Sequence, residues 1–416
     1  MTYSPAHWQR VGEETRRMVA EVPLYADRPQ PPIDPREVDR WLKQVPPVGK
    51  RDLRRGFPKS LVRQHQDLHA AMRDEQVTLL ATSGTTADRL QVIWEWSWWD
   101  PQEREAMRLN ALIANAMGRG DYREAVLTTP ACGAGTCHFG SQTADERKID
   151  GILFFNEGAD PTHWTERDCE RMLNEWREFA PRGIEADPAY LAIIARAALR
   201  LGIAVPPPAF ITLTYETTTR AMRRDIGRAF AAPMFQLYGA TEAGVLFMEC
   251  EHGRLHPNER HSHVDLVPLP GPNRLARVLV TTLGRAWMPL LRYDIGDVVR
   301  VAEPRDCACG LRSDGPLLER VEGRQSDCTE VDGATVTPLM LDDAIHSALG
   351  PAATIEQWQL AGDTLQVVDP TPRADAAVTA AAAAAAVGAL LEQSIRGEAV
   401  GAIAPEASGK YRLVKR

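Results

Sequence analysis

The segment Tyr238-Gly239-Ala240-Thr241-Glu242 closes the apolar run APMFQL at residues 232–237. This run is one of several of strand type from Val77 onward; the others are VTLLATS, LQVIWEW, EAVLTT, GILFF, AFITLTY and LARVLVTT. They alternate with helical stretches, of which the clearest are at residues 102–117, 165–179, 188–201 and 218–230. Strands and helices that alternate at this spacing predict an α/β fold with a largely parallel sheet.

A second segment, Thr82-Ser83-Gly84-Thr85-Thr86-Ala87, lies between two of these runs. Small and hydroxyl residues leave the backbone N–H groups unobstructed, so such a loop can wrap a phosphate tail. The segment lacks the lysine and the following helix of the GxxxxGK[ST] phosphate loop. Taken alone, a Ser/Thr-rich turn without a ligand is the simpler interpretation.

Three further segments complete a series along the chain: Arg292-Tyr293-Asp294-Ile295-Gly296-Asp297, Gly323-Arg324-Gln325-Ser326-Asp327 and Ser408-Gly409-Lys410. In this order the five segments resemble the superfamily of adenylate-forming enzymes, which includes acyl-CoA synthetases, luciferases and nonribosomal adenylation domains. Within it the chain is similar to phenylacetate-CoA ligases. That likeness rests on Lys50-Arg51-Asp52-Leu53, on Asp187-Pro188-Ala189-Tyr190-Leu191, and on Tyr215-Glu216 with Met222-Arg223.

The resemblance implies that a carboxylate joins the α-phosphorus of ATP, that pyrophosphate leaves, and that the acyl group then passes to coenzyme A. The enzyme must position two anions against their repulsion and neutralise charge at phosphorus. By resemblance Lys410 is the mobile catalytic cation, Thr241 contacts the α-phosphate and Glu242 holds Mg²⁺. The other implied ATP-binding residues are Ser83, Gly84, Thr85 and Thr86 at the β- and γ-phosphates, Tyr238 against adenine, Asp297 and Arg324 at the ribose, and Gly239 and Glu216. Without the other motifs, Lys410 would be equally compatible with a solvated lysine near the end of the chain.

Two segments depart from the family pattern. The family usually continues its phosphate loop with glycine and Lys-Pro, whereas this chain has Ala87, Asp88 and Arg89. The alanine adds a methyl group where glycine allows backbone freedom, and the aspartate brings a negative charge near phosphates unless it points away. At the hinge, Ser326 replaces the first aspartate of the family's GRSDD, which leaves Asp327 as the expected pivot.

The character of the chain changes near Arg324, where short strands (IEQWQL, TLQVVD) surround an alanine-rich helix. We therefore predict a large N-terminal α/β adenylation domain over residues 1–323, with parallel-type sheets and a β-rich subdomain that includes residues 275–301. Residues 324–416 are predicted to form a small, mobile C-terminal α+β domain that carries the lysine. About 90 residues lie within the usual size range of a domain.

Cysteine spacing predicts a metal site. Cys250, His256, Cys307 and Cys309 supply three thiols and one imidazole, a set suited to tetrahedral zinc in a closed, structural site. Phenylacetate-CoA ligase-like proteins often have similar C…GLH and CxCG elements. The alternatives are buried or surface cysteines without metal, and rival histidine ligands at His252, His261 and His263. Cys132 and Cys137 lie far upstream of this set and are interpreted as pocket or core residues.

The acyl pocket is placed by resemblance. It would be lined by aromatic and small residues, namely Ala134, Gly135, His138, Phe139, Tyr215, Gln236 and Ala240. Such walls suit a flat aryl ring. His138 stands where the family tends to have a small residue, so we expect a hydroxy- or amino-substituted benzoate; a core or solvent-facing histidine is the alternative.

Composition limits the partners. The 416 residues carry a net charge of −8, which gives no electrostatic footprint for nucleic acid. The longest apolar stretch is mostly alanine, and the N-terminal residues lack the apolar run of a secretory signal, so we expect a cytoplasmic protein without a membrane span. The acyl acceptor is coenzyme A or, alternatively, a carrier-protein thiol or an amine; a non-catalytic nucleotide-binding relative and a homodimer are further hypotheses.

Overall fold

The structure is a computed structural model that describes residues 3–82, 89–128, 143–156, 161–303 and 307–415. By its internal contacts the chain divides into two compact units. The first unit consists of Met1–Ala114, Gln236–Pro268 and Arg274–Val321. The second unit consists of Asn115–Phe235, Leu269–Asn273 and Glu322–Arg416.

Eleven α-helices lie within the described residues. They are α1 Pro5–Glu21, α2 Pro35–Gln44, α3 Lys50–Arg54, α4 Leu68–Arg73, α5 Trp96–Met107, α6 Ala111–Met117, α7 Glu166–Phe179, α8 Pro188–Leu201, α9 Arg220–Ala229, α10 Pro338–Leu349 and α11 Arg373–Leu391.

Twenty β-strands lie within the same ranges. They are β1 Val77–Ala81, β2 Gln91–Glu95, β3 Glu124–Leu127, β4 Lys148–Ile149, β5 Ile152–Phe154, β6 Gly183–Ala186, β7 Phe210–Leu213, β8 Met234–Ala240, β9 Gly244–Glu249, β10 Leu255–Pro257, β11 Ser262–Pro268, β12 Leu275–Thr282, β13 Tyr293–Val301, β14 Leu318–Arg324, β15 Thr329–Val331, β16 Ala334–Val336, β17 Gln357–Ala361, β18 Thr364–Val368, β19 Arg396–Val400 and β20 Val414–Lys415.

The first unit is built on mainly antiparallel strands in the order β11-β12-β13-β14-β10-β9-β8. Its apolar core draws on these strands and on the N-terminal helices α1 and α2. β12 reads LARVLVTT and is buried along nearly its whole length, because β-branched residues pack well on a covered pleated surface. β1 and β2 form a separate antiparallel pair.

The second unit contains the parallel part of the fold, in the strand order β7-β6-β3-β5 with the short antiparallel β4 at the edge. β7 reads FITL and all four residues are buried, as expected of a parallel strand that is covered on both faces. α8 begins at Pro188, and Asp187 caps it by accepting hydrogen bonds from Ala189 N and Tyr190 N. These strand ends and the helix start position the residues described below.

The C-terminal part of the second unit, Glu322–Arg416, contains the four-stranded sheet β19-β18-β17-β20 with α10 and α11. α11 is the alanine-rich helix, and by length and composition alone it could cross a membrane. One face of it, including Ala380, Ala384 and Val387, belongs to the core that α10 and the sheet share. A core helix passes the same test, so this is weak evidence for a membrane span.

The predicted α/β fold is confirmed. The sheet is less parallel than predicted: β3, β5, β6 and β7 pair in parallel, whereas the strands of the first unit pair mainly antiparallel. Three local predictions were wrong. LQVIWEW was predicted as one strand, but α5 begins at Trp96; the helical stretch 102–117 is split between α5 and α6; and the runs that contain β1 and β2 pair with each other and stay outside the parallel sheet. The domain boundary after residue 323 stays a prediction.

Candidate active site

The turn between β8 and β9 carries Thr241 and Glu242. The turn is so tight that a Cβ on Gly239 would lie 2.4 Å from the carbonyl oxygen of Gly244. No larger residue therefore fits at position 239. Gly244 itself has a φ of +82°, and a Cβ there would lie 2.7 Å from the Trp98 ring. The backbone geometry therefore restricts both ends of the turn to glycine and fixes the position of the two polar side chains.

Glu242 is buried and is held by two residues of the first unit. The Tyr293 hydroxyl donates a hydrogen bond of 2.6 Å to Glu242 Oε1, and Arg285 Nη1 donates to the Glu242 carbonyl oxygen. Arg285 also donates to Ile93 O and lies 5.0 Å from the centre of the Trp98 ring. Burial lowers the pKa of Arg285 to about 10, so the guanidinium stays charged near neutral pH.

Two of the predicted nucleotide contacts are adjacent. The Tyr238 hydroxyl donates a hydrogen bond of 3.0 Å to Asp297 Oδ2, and both side chains are buried. Tyr238 lies near the end of β8 and Asp297 lies within β13. Segments 238–242 and 292–297 therefore contact each other at two points, through Tyr238–Asp297 and through Tyr293–Glu242.

Lys410 lies in the second unit, on a segment that is fixed on both sides. The Tyr190 hydroxyl donates to Gly409 O over 3.0 Å, and Tyr411 N donates to Glu216 Oε2 over 2.7 Å. Asp187 is fully buried and contacts Glu216. Burial raises the pKa of both carboxyl groups, and the positive charge of Lys410 lowers both pKa values in part.

Tyr215 has an uncommon backbone conformation, with a φ of +73°. Its hydroxyl donates a hydrogen bond to Glu185, a carboxyl group in β6 whose pKa is raised by burial. For a residue with a bulky side chain such a φ costs free energy and occurs mainly where the surroundings impose it. Of the other predicted pocket residues, Gln236 and Ala240 lie half-buried in β8, and Gln236 N donates to Glu249 Oε2 over 2.6 Å.

The predicted hinge follows the end of β14. Arg324 and Ser326 are exposed, and Asp327 is buried. Asp327 Oδ1 accepts hydrogen bonds from Ser326 Oγ over 2.9 Å and from Arg412 Nη2 over 2.6 Å. Since Arg412 follows Lys410 by two residues, this ion pair connects the hinge directly to the lysine segment.

The predicted metal ligands are brought together in the first unit. The ligand atoms of Cys250, His256, Cys307 and Cys309 all lie within 4.8 Å of one another. His256 Nδ1 lies 2.8 Å from Ser313 Oγ, which leaves Nε2 facing Cys309 Sγ at 3.3 Å. Burial raises the pKa of Cys250 to about 12, so a metal that binds there must displace the thiol proton. Three thiols and one imidazole at these distances fit tetrahedral zinc.

The rival histidines have other environments. His261 Nε2 lies 3.0 Å from Glu105 Oε2, and His263 Nδ1 lies 3.0 Å from His7 Nε2. His252 is exposed. Within the described residues the four-membered group therefore contains His256 and none of the rivals.

Several predicted residues lie outside the described residues. They are Ser83, Gly84, Thr85 and Thr86 of the phosphate loop, the pocket residues Ala134, Gly135, His138 and Phe139, and also Ala87, Asp88, Cys132 and Cys137. Their assignments stay predictions.

Sequence reasoning gave no role to several residues that contact the site. Four of them, Tyr293, Arg285, Asp187 and Arg412, contact a predicted site residue or its backbone. Tyr190 contacts the backbone of Gly409, next to Lys410. Tyr293 lies inside a quoted motif, and Asp187-Pro188 is a local helix-start signal. Arg285 has no comparable signal in the sequence.

Comparisons with known proteins show what the chain as a whole is similar to. A scan against family models gives no match. The chain is 25% identical over 320 residues to a phenylacetate-coenzyme A ligase of Thermus thermophilus and 25% identical over 329 residues to that of Escherichia coli. These matches cover 72% and 76% of this chain. The match spans 65% of the T. thermophilus protein, less than two thirds of its length, and 68% of the E. coli protein.

Solved structures share the fold. A 2-hydroxyisobutyryl-CoA ligase in the postadenylation state, in complex with 2-HIB-AMP, superimposes with a TM-score of 0.70 at 15% identity, over 99% of this chain and 88% of that one. An anthranilate CoA ligase in complex with anthranoyl-AMP gives a TM-score of 0.51 at 13% identity, over 80% of this chain and 65% of that one. At these identities the likeness establishes the fold.

Proposed function

We propose that this chain, a member of the adenylate-forming superfamily by fold and by sequence similarity, activates a carboxylic acid with ATP and transfers the acyl group to coenzyme A. The observation that carries the proposal is the pair of hydrogen bonds, Tyr238–Asp297 and Tyr293–Glu242. They join two segments that the resemblance assigns to nucleotide and magnesium binding. The similarity to phenylacetate-coenzyme A ligases supports the same reaction class.

The reaction has two steps. A carboxylate oxygen attacks the α-phosphorus of ATP, and the bond to pyrophosphate breaks. The coenzyme A thiol then loses its proton and attacks the acyl carbon, and AMP leaves. The difficulty of the first step is the meeting of two anions, so positive charge near the α-phosphate contributes mainly in the transition state.

We assign the chain's residues to these steps as follows. Thr241 contacts the α-phosphate, Tyr238 and Gly239 lie at the adenine, and Asp297 with Arg324 binds the ribose. Glu242 is the Mg²⁺ ligand, since its carboxylate is oriented by Tyr293 and a hard cation prefers carboxylate oxygens; magnesium supplies charge neutralisation at the phosphates when bound. Lys410 supplies the catalytic positive charge. Glu216 and the loop at residues 83–86 are the remaining members of the proposed ATP site.

We further propose an aromatic substrate, a hydroxy- or aminobenzoate. The half-buried Tyr215, with its hydroxyl directed to the half-buried carboxyl group of Glu185, supports a pocket that combines a flat wall with a polar group. The carrier-thiol and amine acceptors, the homodimer and the cytoplasmic location stay predictions.

Zinc is proposed as a structural cofactor. Cys250, His256, Cys307 and Cys309 provide four protein ligands, and such a set leaves no open coordination position for a substrate. The Ser313 hydroxyl beside His256 Nδ1 would fix the orientation of the imidazole.

The proposal is tested by ATP–pyrophosphate exchange with a panel of benzoates, phenylacetate and short aliphatic acids, followed by the same panel with coenzyme A. Acid-dependent exchange followed by thioester formation supports a CoA ligase. Exchange without thioester formation would indicate that the acyl acceptor is a molecule other than coenzyme A. If the protein binds ATP but shows no exchange with any acid, the result would favour a non-catalytic nucleotide-binding protein.

A further inference from the structure

We propose that Asp187 and Glu216 form a docking site that positions Lys410 for the adenylation step. The proposal rests on the proposed function for the role of the lysine. All the residues concerned belong to the second unit: Asp187 precedes α8, Glu216 follows β7, and Lys410 precedes β20. Asp187 and Glu216 act through the lysine, so they are positioning residues.

The first part of the argument is the backbone on either side of Lys410. Tyr190, on the first turn of α8, donates its hydroxyl to Gly409 O over 3.0 Å. Glu216 Oε2 accepts a hydrogen bond from Tyr411 N over 2.7 Å. Glu406 N donates to Lys410 O over 2.8 Å. With the residues before and after it fixed, Lys410 has a defined starting point for its side chain.

The second part is the charge beside the lysine. Asp187 is fully buried, and its Oδ1 is occupied by Ala189 N at 3.0 Å and Tyr190 N at 3.3 Å. Asp187 Oδ2 and Glu216 Oε1 are also buried and, apart from the contact between the two carboxyl groups, have no hydrogen-bond partner in the described part of the chain. The two carboxyl groups contact each other. Burial raises the pKa of both groups, so the pair tends to retain a proton, and the positive charge of Lys410 lowers both pKa values and so favours the ionised pair. By the same coupling, the ionised pair favours the lysine beside it.

The consequence concerns the balance between the two half-reactions. While Lys410 is docked, its ammonium compensates the buried carboxyl groups. Withdrawal of the lysine would remove the cation that favours the ionised pair, so the carboxyl groups would have to take up a proton or stay charged in a low-dielectric environment, and this opposes withdrawal. The pair should therefore stabilise the arrangement used for adenylation, and its neutralisation should slow adenylation more than thioester formation.

The first test separates the half-reactions in Asp187→Asn and Glu216→Gln. The asparagine and glutamine keep an acceptor oxygen for the backbone N–H groups and remove the charge. Asp187→Asn should lose about tenfold in acid-dependent pyrophosphate exchange, with KM for ATP unchanged within about twofold, and should convert added acyl-adenylate and coenzyme A to thioester at nearly the wild-type rate. Glu216→Gln also changes a proposed ATP-site residue, so it should lose at least as much exchange, and its effect on the docking of Lys410 is measured by amine accessibility below. An equal loss in both half-reactions, or no loss in exchange, would overturn the proposal.

The matched control is Asp225→Asn. Asp225 is a buried carboxyl group of the same unit that pairs with Arg196 at 3.0 Å. In the described part of the chain it pairs with Arg196 and Arg224, neither of which belongs to the lysine segment. This variant should change stability and leave the ratio of the two half-reactions as in wild type; a shift equal to that of Asp187→Asn would make the effect structural and contradict the proposal.

A second measurement does not require activity. Acetylation of lysines with a water-soluble amine reagent, followed by mass spectrometry, reports how accessible each amine is. Lys410 should react several-fold faster in Asp187→Asn, Glu216→Gln and Tyr190→Phe than in wild type, with Lys59 as the internal reference. Equal Lys410 rates in all four proteins would refute the docking site. If wild type shows no exchange with any acid, the proposed function fails while this measurement still decides the docking site.

Discussion

Tyr293 donates a hydrogen bond of 2.6 Å to Oε1 of Glu242, and both side chains are buried. The hydroxyl orients the carboxylate by a hydrogen bond and forms no ion pair with it, so the carboxylate can still bind a cation. The contact also joins β13 to the turn after β8, which lie 51 residues apart in the chain. A role for Glu242 in magnesium binding therefore depends on a residue outside its own turn.

Replacement of Tyr293 by phenylalanine should raise the Mg²⁺ concentration needed for half-maximal adenylation several-fold, because one oxygen of Glu242 loses its orienting donor. Titration of pyrophosphate exchange with Mg²⁺ measures this effect. Tyr25→Phe is the control, since Tyr25 donates to Pro289 O over 3.1 Å in the same unit. Tyr293→Phe removes the bond to Glu242, and Tyr25→Phe removes the bond to Pro289 O and the one from Leu291 N; each buried hydrogen bond is worth about 1 kcal/mol. An identical Mg²⁺ dependence in Tyr293→Phe and Tyr25→Phe would contradict the assignment.

The candidate metal site predicts the zinc content of the purified protein. Purified protein should contain about one zinc per chain, and Cys307→Ser should lose both the metal and stability, because formation of such a site is coupled to folding. Cys169→Ser is the control: Cys169 is buried in the core of the second unit, away from the four ligands. It should lose some stability and keep its zinc. Metal-free wild-type protein of normal stability would exclude the site.

The buried Asp187 predicts a pH-dependent difference in stability. Burial raises its pKa from 3.8 to about 7. Between these values the folded protein retains a proton that the unfolded chain has lost, so this group lowers the unfolding free energy as pH rises through the window. Asp187→Asn should therefore gain stability relative to wild type from about pH 4 to pH 7, as measured by denaturant unfolding. Asp74→Asn, at an exposed position, should show no such trend; a flat difference for Asp187→Asn would contradict the prediction.

The Asp327–Arg412 ion pair predicts an effect on domain movement. Asp327→Asn removes the charge that holds Arg412 at 2.6 Å, so the lysine segment should be less firmly tied to the hinge. We expect kcat for thioester formation from acid, ATP and coenzyme A to change several-fold while KM for acid and ATP changes less than about twofold. Asp39→Asn, which breaks the exposed pair with Lys43, should be silent, as surface pairs usually are. If the Asp327 variant is equally silent, Asp327 has no hinge role.

Much of the fold and the positions of the key segments were predictable from the sequence, because their signals are local. Strands β7 and β8 follow from continuous apolar runs, and the Asp187-Pro188 pair marks the start of α8. The pairing of β1 with β2 was not predictable, since hydrophobic periodicity identifies a strand but does not state its neighbour. For the same reason the beginning of α5 inside an apolar run was missed.

For the candidate site too, local features were predictable from the sequence and long-range contacts were not. The ligand set with His256 was predicted from spacing, and its four ligand atoms do lie together. The partners of the predicted residues were missed, because they come from distant parts of the chain. Tyr190 and Gly409 are 219 residues apart, and Asp327 and Arg412 are 85 residues apart. Such contacts follow from the topology of the sheet and are not encoded in any local pattern.

The most direct test of the account is acid-dependent ATP–pyrophosphate exchange in wild type and Lys410→Ala, measured with the acid that gives the highest wild-type rate. The lysine contributes its charge mainly in the transition state, so the alanine variant should lose two or more orders of magnitude in exchange while it binds ATP with nearly the wild-type affinity. Exchange at the wild-type rate in a folded Lys410→Ala protein would contradict the central claim that this chain adenylates an acid with Lys410 as its catalytic cation.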